Sequence, residues 1–272
     1  MAQMPTEMFQ HYELAMEADR LSQHAGLLER ERTQEILCRY LPPPPATILD
    51  VGGGAGAYAC PLASLGYTVH LLDPVPLHVK QALDASRGNA RPLASAAVGD
   101  ARELPWAAAS ADAVLLLGPL YHLTERDERV RALREARRVL RPGKMLFAAA
   151  VSRYASLLDG LWRQLVEDPV FLPILEGDLR DGQHRNPTGY PMYFTTAFFH
   201  RPEELRDELS DAGLLNVDVL AVEGVGWLLP NLVAELSDAK HKDRLLGYLR
   251  RVEREPSLLG ASAHLIAIGE AG

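Results

Sequence analysis

Short apolar runs alternate with segments of helical periodicity through most of the chain. The runs Ala46–Val51 and Tyr67–Asp73 are separated by a glycine cluster and a short helical stretch, which is the order of a βαβ unit. A helix near Leu77–Ala85, a weak strand at Ser95–Val98 and a strong strand at Ala113–Leu117 continue the alternation. This pattern predicts a parallel sheet whose strands are connected by helices.

The same alternation returns in the second half of the chain. A charged helix is predicted over Glu125–Leu140, where Arg141-Pro142-Gly143 stops it. The remaining predicted elements are the strand Lys144–Val151, the helix Pro202–Ala212 and the strands Asn216–Val222 and His264–Gly269. Seven strands with helices between them predict an α/β fold with a doubly wound sheet.

Two segments depart from the alternation and divide the chain into four predicted parts. Residues 6–41 have helical spacing in two pieces and end at four prolines, so residues 1–45 are predicted to be an N-terminal helical cap. An insertion after the fifth strand, residues 152–201, is rich in Pro, Gly, Tyr and Phe and is typical of a lid over a substrate. The core of the fold is then expected in residues 46–151 and 202–272.

Composition narrows the classes of protein that fit. The 272 residues are 47% hydrophobic and carry a formal net charge of −8, and this acidic balance argues against nucleic acid as a partner. Two cysteines, Cys38 and Cys60, lack metal-ligand spacing, which argues against a zinc site or a disulfide scaffold. No signal peptide or membrane-spanning run is recognisable, so the sequence predicts a cytoplasmic protein with no membrane partner.

The strongest chemical signal is the glycine cluster Asp50-Val51-Gly52-Gly53-Gly54-Ala55-Gly56 after the first strand. Glycines at this point let a ligand approach the backbone closely, beside the free N–H groups of the next helix. Gly54, Gly56 and Ala59 also satisfy the dinucleotide fingerprint, so a nicotinamide or flavin enzyme is the alternative when this motif is taken alone.

Five segments in a fixed order favour a different ligand: ILDVGGGAG, the acidic strand end at Asp73, VGDARELPW, DAVLLLGPLYHL and VLRPGKMLF. Over residues 46–151 this series resembles the small-molecule, type 11-like branch of the class I S-adenosylmethionine-dependent methyltransferases. The resemblance implies a Rossmann-like, mostly parallel sheet with an antiparallel last strand. It also implies S-adenosylmethionine (SAM) as the cofactor and S-adenosylhomocysteine (SAH) as the product.

The resemblance assigns cofactor contacts to this chain. Asp73 is expected to take the ribose hydroxyls because a carboxylate offers two acceptor oxygens, and a helix N-cap is the alternative for it. Asp100 is expected to accept from the adenine amino group, with an ordinary Asp turn as the alternative. The implied cofactor-binding residues are Arg20, Asp50, Gly52, Gly53, Gly54, Asp73, Pro74, Asp100, Ala101, Leu117 and Gly118.

The methionine end of the cofactor is expected to meet two charged groups. Asp50 is positioned to accept from the ammonium, directly or through water. Arg20 lies in HYELAMEADRLSQHAGLLERERT, which resembles the leading segment of one bacterial branch, and its guanidinium is expected to bind the cofactor carboxylate. Glu17 would orient Arg20, and a solvated ion pair between the two is the alternative left open.

The acceptor side is predicted from GPLYHL, which faces the transferred methyl group in the family. His122 is the candidate general base, since an imidazole titrates near working pH. A helix cap is the alternative for His122, and alignment alone is sufficient for many enzymes of this type. No metal is predicted. The candidate acceptor-binding residues, for which a core role is the alternative, are Tyr121, His184, Tyr193, His200 and Trp227.

The sequence therefore predicts an enzyme that moves a methyl group from SAM to an O or N atom of a small molecule by in-line displacement. A monomer or homodimer is expected. Methylation of tRNA is one alternative, which the absence of basic runs disfavours. Another is a methyltransferase-like protein that binds the cofactor without methyl transfer, because the motifs fix a binding geometry and not turnover.

Overall fold

A seven-stranded sheet lies at the centre of the computed structural model, which describes residue 21 and residues 24–272. The strands are β1 Thr47–Val51, β2 Thr68–Asp73, β3 Ser95–Val98, β4 Ala111–Leu116, β5 Leu140–Val151, β6 Gln183–His184, β7 Ala197–Phe198, β8 Leu214–Ala221 and β9 His264–Ala271. The sheet has the order β3-β2-β1-β4-β5-β9-β8, and β6 and β7 form a separate two-stranded sheet. The predicted doubly wound, seven-stranded sheet is confirmed.

Helices cover both faces of this sheet. They are α1 His24–Tyr40, α2 Ala59–Ser64, α3 Pro76–Ser86, α4 Pro119–His122, α5 Arg126–Val139, α6 Ala155–Trp162, α7 Leu172–Asp181, α8 Pro202–Asp211, α9 Leu232–Ser237, α10 Ala239–Val252 and α11 Pro256–Leu259. Apolar side chains of α1, α2 and α3 pack on one face, and those of α5 and α8 pack on the other. Among the described residues, no helix combines the length and the apolar character that crossing a membrane requires.

The direction of the strands brings their functional ends to one edge. Strands β1 to β5 pair in parallel, so their carboxyl ends share that edge. Strand β9 is antiparallel to both β5 and β8, which confirms the expected antiparallel last strand. The first residue of β9, His264, therefore pairs with the last residue of β5, Val151, at the same edge.

One predicted boundary is wrong. The sequence Arg141-Pro142-Gly143 was expected to separate a helix from a strand, but α5 ends at Val139 and β5 begins at Leu140. The Pro-Gly step is therefore inside the strand. The sheet tolerates it because Pro142 is exposed and the β4–β5 register shifts between Ala111 and Ala113.

The predicted insertion, residues 152–201, folds around a small core of its own. Helices α6 and α7 pack together through a cluster that includes Phe171, Ile174, Leu175 and Tyr193. A parallel bridge between Ser152 and His200 joins the two ends of the insertion beside the sheet. The division of the chain into four parts, with this segment as a lid, stays a prediction.

A buried guanidinium attaches α1 to the sheet. Arg32 is fully buried, and its Nε donates to the Val222 carbonyl just after β8 at 2.9 Å. Its Nη2 donates to Glu253 at 2.6 Å, and Arg39 of the same helix also donates to that carboxylate. Although burial opposes ionisation, hydrogen bonds from Arg39 and Arg32 hold the pKa of Glu253 below its usual value.

Replacing Arg32 by Ala is therefore expected to cost about 3–5 kcal/mol of unfolding free energy, because it leaves Glu253 buried with less compensation. Chemical denaturation measured by circular dichroism checks the value. Arg87→Ala is the control, since that side chain is 77% exposed and its pair with Asp84 is worth under about 1 kcal/mol. A loss below about 1 kcal/mol for Arg32→Ala would contradict the anchoring role.

Candidate functional site

A cavity of about 840 Å³ opens at the carboxyl edge of the sheet, between the strand ends and α1. This is the position at which ligands bind in open α/β sheets. Most of the residues predicted for the site lie together in its wall. They are Asp50, Gly52, Gly53, Gly54, Asp73, Pro74, Asp100, Ala101, Leu117, Gly118, Tyr121 and His122. Arg20 and its expected partner Glu17 lie outside the described residues.

The glycine turn after β1 has the shape that the motif predicts. Gly52 has a φ of +71°, and a Cβ on it would lie 2.6 Å from the ring of Pro119. Gly54 has a φ of +54°, yet a Cβ there would meet nothing within 4 Å. The first glycine is thus required by packing and backbone conformation, and the open space beside Gly54 leaves room for a ligand to lie against the backbone.

Asp50 is a buried carboxyl at the end of β1. Neither carboxyl oxygen of Asp50 accepts a hydrogen bond of standard distance and angle from a described residue. The Ala59 amide lies near enough to lower the pKa of Asp50, but this effect is smaller than that of burial. Burial, followed by the negative charge of Asp73, raises the pKa of Asp50 to about 7. A buried carboxyl of this kind is complemented by a cationic group, such as the ammonium of an amino acid.

Asp73, at the end of β2, is held in place by backbone and side-chain donors. Its Oδ2 accepts from the Gly54 amide at 2.8 Å, which ties the β2 end to the glycine turn. Its Oδ1 accepts from the Val75 amide at 2.9 Å and lies 3.1 Å from Nδ1 of His78, a buried histidine that the motifs did not identify. The bond to Val75 is a local Asx turn. The alternative of a helix N-cap is wrong, because Val75 is the N-cap of α3 and the helix has no side-chain capping hydrogen bond. The Asp73 side chain also lines the cavity.

Asp100, after β3, is fixed by an arginine. Arg102 donates to it from Nε at 2.9 Å and from Nη2 at 2.5 Å, and the same guanidinium reaches Glu128 at 2.6 Å. Burial opposes ionisation, but the hydrogen bonds and charge of Arg102 hold the pKa of Asp100 below its usual value. Asp100 is therefore a permanent acceptor at neutral pH, as a bond from an exocyclic amine requires.

These residues fit the groups of SAM on structural grounds. The Asp50 oxygens lack standard hydrogen bonds and suit an ammonium, and Asp100 is an ionised acceptor suited to the adenine amine. Asp73 adds a third carboxyl group, which lies between the other two along the sheet edge.

The end of β4 borders the other part of the cavity. Leu117 and Gly118 lead into α4, which carries Tyr121 and His122 into the cavity wall. The ring of His122 packs against Tyr121 with centroids 4.6 Å apart and lies 6.0 Å from Phe194 of the insertion. The alternative role of His122, as a cap of the next helix, is not supported, because α5 has Glu125 as its N-cap and no side-chain capping hydrogen bond. The role of general base stays a prediction.

Two of the expected acceptor contacts are instead inside the insertion. His184 is fully buried, with Nδ1 2.9 Å from Asp178 and Nε2 2.7 Å from the Tyr193 carbonyl. Tyr193 is also buried, and its hydroxyl donates to Asp168. Neither residue lies in the wall of the cavity. The sequence of this segment mixes aromatic and polar residues, and that mixture is found both in internal hydrogen-bond networks and in pocket walls. The sequence therefore did not distinguish the two.

The other two are also in packed interiors. His200 is fully buried beside Glu208, at 3.3 Å, and burial lowers its pKa. Trp227 packs against Leu28, and its Nε1 donates to the Ala261 carbonyl at 3.0 Å. Neither residue is part of the cavity wall. His184, Tyr193, His200 and Trp227 therefore lie in packed interiors, which is the alternative that the sequence analysis gave for them.

The structure adds a part of the wall that sequence reasoning missed. Glu29 of α1 and His264 of β9 line the cavity, and Glu223 lies beside them just after β8. The atoms of these three side chains that are able to bind a metal lie within 4.8 Å of one another. A signal for His264 was available in the sequence. Side chains two apart in a strand share a sheet face, and His264 precedes the apolar run Leu265–Ile268 with the buried Ile266 two positions on.

Comparison with known proteins agrees with this geometry. Residues 49–148 match the methyltransferase domain family. A malonyl-(acyl-carrier protein) O-methyltransferase from Methylococcus capsulatus is 35% identical over 148 residues, which are 50% of this chain and 50% of that protein. The chain thus spans about half the length of the curated relative that it matches.

Solved structures share the fold over more of the chain. A SAM-dependent methyltransferase from Methanosarcina mazei has a TM-score of 0.58 at 21% identity, covering 86% of this chain and 96% of that one. A 4+2 cyclase has a TM-score of 0.56 at 20% identity, covering 89% of this chain and 80% of that one. At these identities the likeness establishes the fold alone.

The sheet order and its carboxyl-edge cavity define a Rossmann-like protein of the class I methyltransferase type. The family match supports methyltransferase chemistry for the part of the chain that it covers, residues 49–148. Over those residues, the methyltransferase family predicted from the five motifs is confirmed.

The raised pKa of Asp50 has a consequence for stability. The Asp50 carboxyl of the folded chain keeps its proton up to about pH 7, whereas the same group in the unfolded chain loses its proton near pH 3.8. Protonated Asp50 therefore contributes fully to the free energy of unfolding below about pH 4, and this contribution is lost as the pH rises to about 7. The loss is on the order of 4 kcal/mol. Denaturation at several pH values is expected to show a fall in the wild type that Asp50→Asn lacks, and equal slopes would contradict the shift.

Proposed function

We propose that this chain transfers a methyl group from SAM to an oxygen or nitrogen atom of a small molecule. The observation that carries the proposal is the buried carboxyl of Asp50, which has no standard hydrogen bond from described residues and lies beside an open glycine turn. When bound, SAM supplies an electrophilic methyl carbon on a sulfonium, and displacement at that carbon leaves SAH. The residues of the chain bind the cofactor and the acceptor, and they align the acceptor atom with the methyl carbon.

The cofactor half of the cavity is assigned to residues at four strand ends. Asp50 takes the ammonium, and this contact draws the carboxyl toward its ionised form. Asp73 takes the ribose hydroxyls, while Asp100 accepts from the adenine amine and the Ala101 amide meets the ring edge. The uncharged residues assigned to the cofactor half, which line the cavity without a charged side chain, are Gly52, Gly53, Gly54, Pro74, Leu117 and Gly118.

The acceptor half is assigned to the wall around α4. Tyr121 and His122 border it, and their rings support each other at 4.6 Å. We assign His122 to contact the reactive atom of the acceptor and to hold it in line with the methyl carbon. Correct alignment alone contributes a large part of the rate in such displacements.

A second candidate function is binding of the cofactor without methyl transfer. The observation that favours it is the same fold in a protein described as a 4+2 cyclase. The fold therefore carries more than one chemistry, and turnover has to be measured separately from binding.

Isothermal titration with SAH is expected to give micromolar binding, with no heat from NAD or NADP. Asp73→Ala is expected to weaken SAH binding about 100-fold, since it removes charge-assisted bonds to the ribose. Asp73→Asn keeps an acceptor for the Gly54 amide, so a similar loss in that variant separates ligand contact from local unfolding. Asp84→Ala is the control because this carboxylate is exposed on α3.

Turnover is tested with SAM and a panel of small hydroxyl, amine and carboxylate compounds, with SAH formation as the readout. Formation of SAH that depends on one acceptor supports methyl transfer. Tight SAH binding without turnover on any compound would favour the cofactor-binding alternative. Heat from NADP in place of SAH would overturn the assignment of the glycine turn.

A further inference from the structure

Glu223 and His264 meet at the carboxyl edge of the sheet, where β8 and β9 lie on the far side of β5 from the strand ends that carry the cofactor motifs. Glu223 follows β8 and His264 begins β9, and these neighbouring strands run in opposite directions. The strand end and the strand start are therefore adjacent. His264 lines the cavity with about a fifth of its side chain exposed, whereas Glu223 is buried behind it.

Glu223 is fixed by a network that leaves it little freedom. Its Oε2 accepts from the Ser262 hydroxyl and from the His264 amide, both at 2.9 Å. The Ser262 hydroxyl oxygen in turn accepts from the amides of Glu223 and Gly224. The remaining oxygen, Oε1, lies 2.6 Å from Nδ1 of His264.

The contact between Glu223 and Nδ1 determines which nitrogen of the His264 ring carries the proton. A carboxylate accepts and cannot donate, so Nδ1 carries the proton and Nε2 carries the lone pair in the neutral ring. A carboxylate on Nδ1 also stabilises the imidazolium that forms when Nε2 takes up a proton. Such a pair of residues is a proton acceptor with a fixed orientation.

A metal ion is a poorer explanation of the same three side chains. Ligand bonds of about 2.0–2.2 Å to both Nδ1 and a carboxylate oxygen hold those atoms roughly 3 Å apart or more in tetrahedral geometry. The 2.6 Å separation between Glu223 and His264 is that of a hydrogen bond. Both oxygens of Glu223 are also already engaged.

The charges around this wall point to a class of acceptor. Glu29 of α1 lies 3.6 Å from Nδ1 of His264, so two carboxylates flank the imidazole. Arg32, a basic residue one turn after Glu29 on α1, donates to Glu253 and to the Val222 carbonyl. An anionic acceptor is repelled here, whereas a neutral hydroxyl or amine is not.

We propose that His264, oriented by Glu223, accepts the proton that a hydroxyl or amine acceptor releases during methyl transfer, an inference that rests on the proposed function. The acceptor lone pair forms the new bond to the methyl carbon, and the electrons of the carbon–sulfur bond pass to sulfur. The O–H or N–H proton moves to Nε2 of His264. Solvent then removes that proton from the imidazolium.

The first test needs no acceptor. Nitrogen-15 NMR of the histidine rings is expected to show His264 protonated at Nδ1 and unprotonated at Nε2 when neutral, with His264→Gln providing the assignment. Glu223→Gln is expected to lower the titration midpoint of His264, because the carboxylate that stabilises the imidazolium is gone. A neutral ring protonated at Nε2, or a midpoint unchanged in Glu223→Gln, would overturn the proposal.

The second test uses the hydroxyl or amine compound that the turnover panel returns. His264→Gln is expected to lower kcat by 100-fold or more and to abolish the acid limb of the kcat–pH profile. Glu223→Gln is expected to move that limb to lower pH. SAH affinity is expected to stay within about threefold of wild type in both, since neither side chain belongs to the cofactor half.

His122→Gln is the matched comparison, because this histidine lines the same cavity. Loss of the acid limb in His122→Gln, with the limb retained in His264→Gln, would transfer the role to His122 and overturn the proposal. Turnover confined to carboxylate acceptors would also overturn it, since a carboxylate has no proton to give up. Absence of turnover on the whole panel would instead count against the proposed function, while the NMR result still decides the state of the pair.

Discussion

The structure depends on one topological constraint, which is that the strand ends carrying function all meet at one edge of the sheet. Strands β1 to β5 reach that edge by running in parallel, and β9 begins there because it runs the opposite way. A reversed strand presents its amino end where its neighbours present their carboxyl ends. His264 and Asp50 consequently line the same cavity although 214 positions separate them in the chain.

Burial then gives the carboxyl groups at this edge different properties. Asp100 meets a guanidinium, so its charged form is favoured even though it is partly buried. Among the described residues Asp50 has no guanidinium partner, so burial and the charge of Asp73 raise its pKa and favour its neutral form until a cation binds. One type of side chain therefore provides a permanent acceptor at one strand end and a ligand-responsive carboxyl at another.

Helix α1 connects the β8 edge of the sheet to the wall of the cavity. Arg32 links α1 to the end of β8 and to Glu253, and one turn earlier on the same helix Glu29 faces His264. The interaction that attaches the helix therefore also positions the Glu29 carboxylate beside His264 in the cavity wall. A shift of α1 changes the electrostatics around His264, because both residues lie on one rigid element.

Several parts of the fold and site were predictable from sequence. The alternation of apolar runs with helical periods fixed the sheet to within a few residues at most strand ends, and the glycine turn located the cavity. The Pro-Gly step of β5 was misread because a proline in an exposed, register-shifted strand end looks locally like a helix stop. His184, Tyr193, His200 and Trp227 were placed by residue type alone, and residue type does not distinguish a pocket wall from a packed interior.

The sequence by itself determined the order of strands and helices, the glycine turn and the acidic residues that end β1, β2 and β3. These are local properties, carried by periodicity and by neighbours within a few positions. Only the tertiary structure decided that Glu223 orients His264, that Glu29 joins them and that His184 turns inward. His184 turns inward through partners within its own insertion, Asp178 and Tyr193, which residue type alone did not mark. The contacts of His264 with Glu223 and Glu29 join residues brought together by strand reversal and helix packing, so they depend on three-dimensional distance rather than on spacing along the chain.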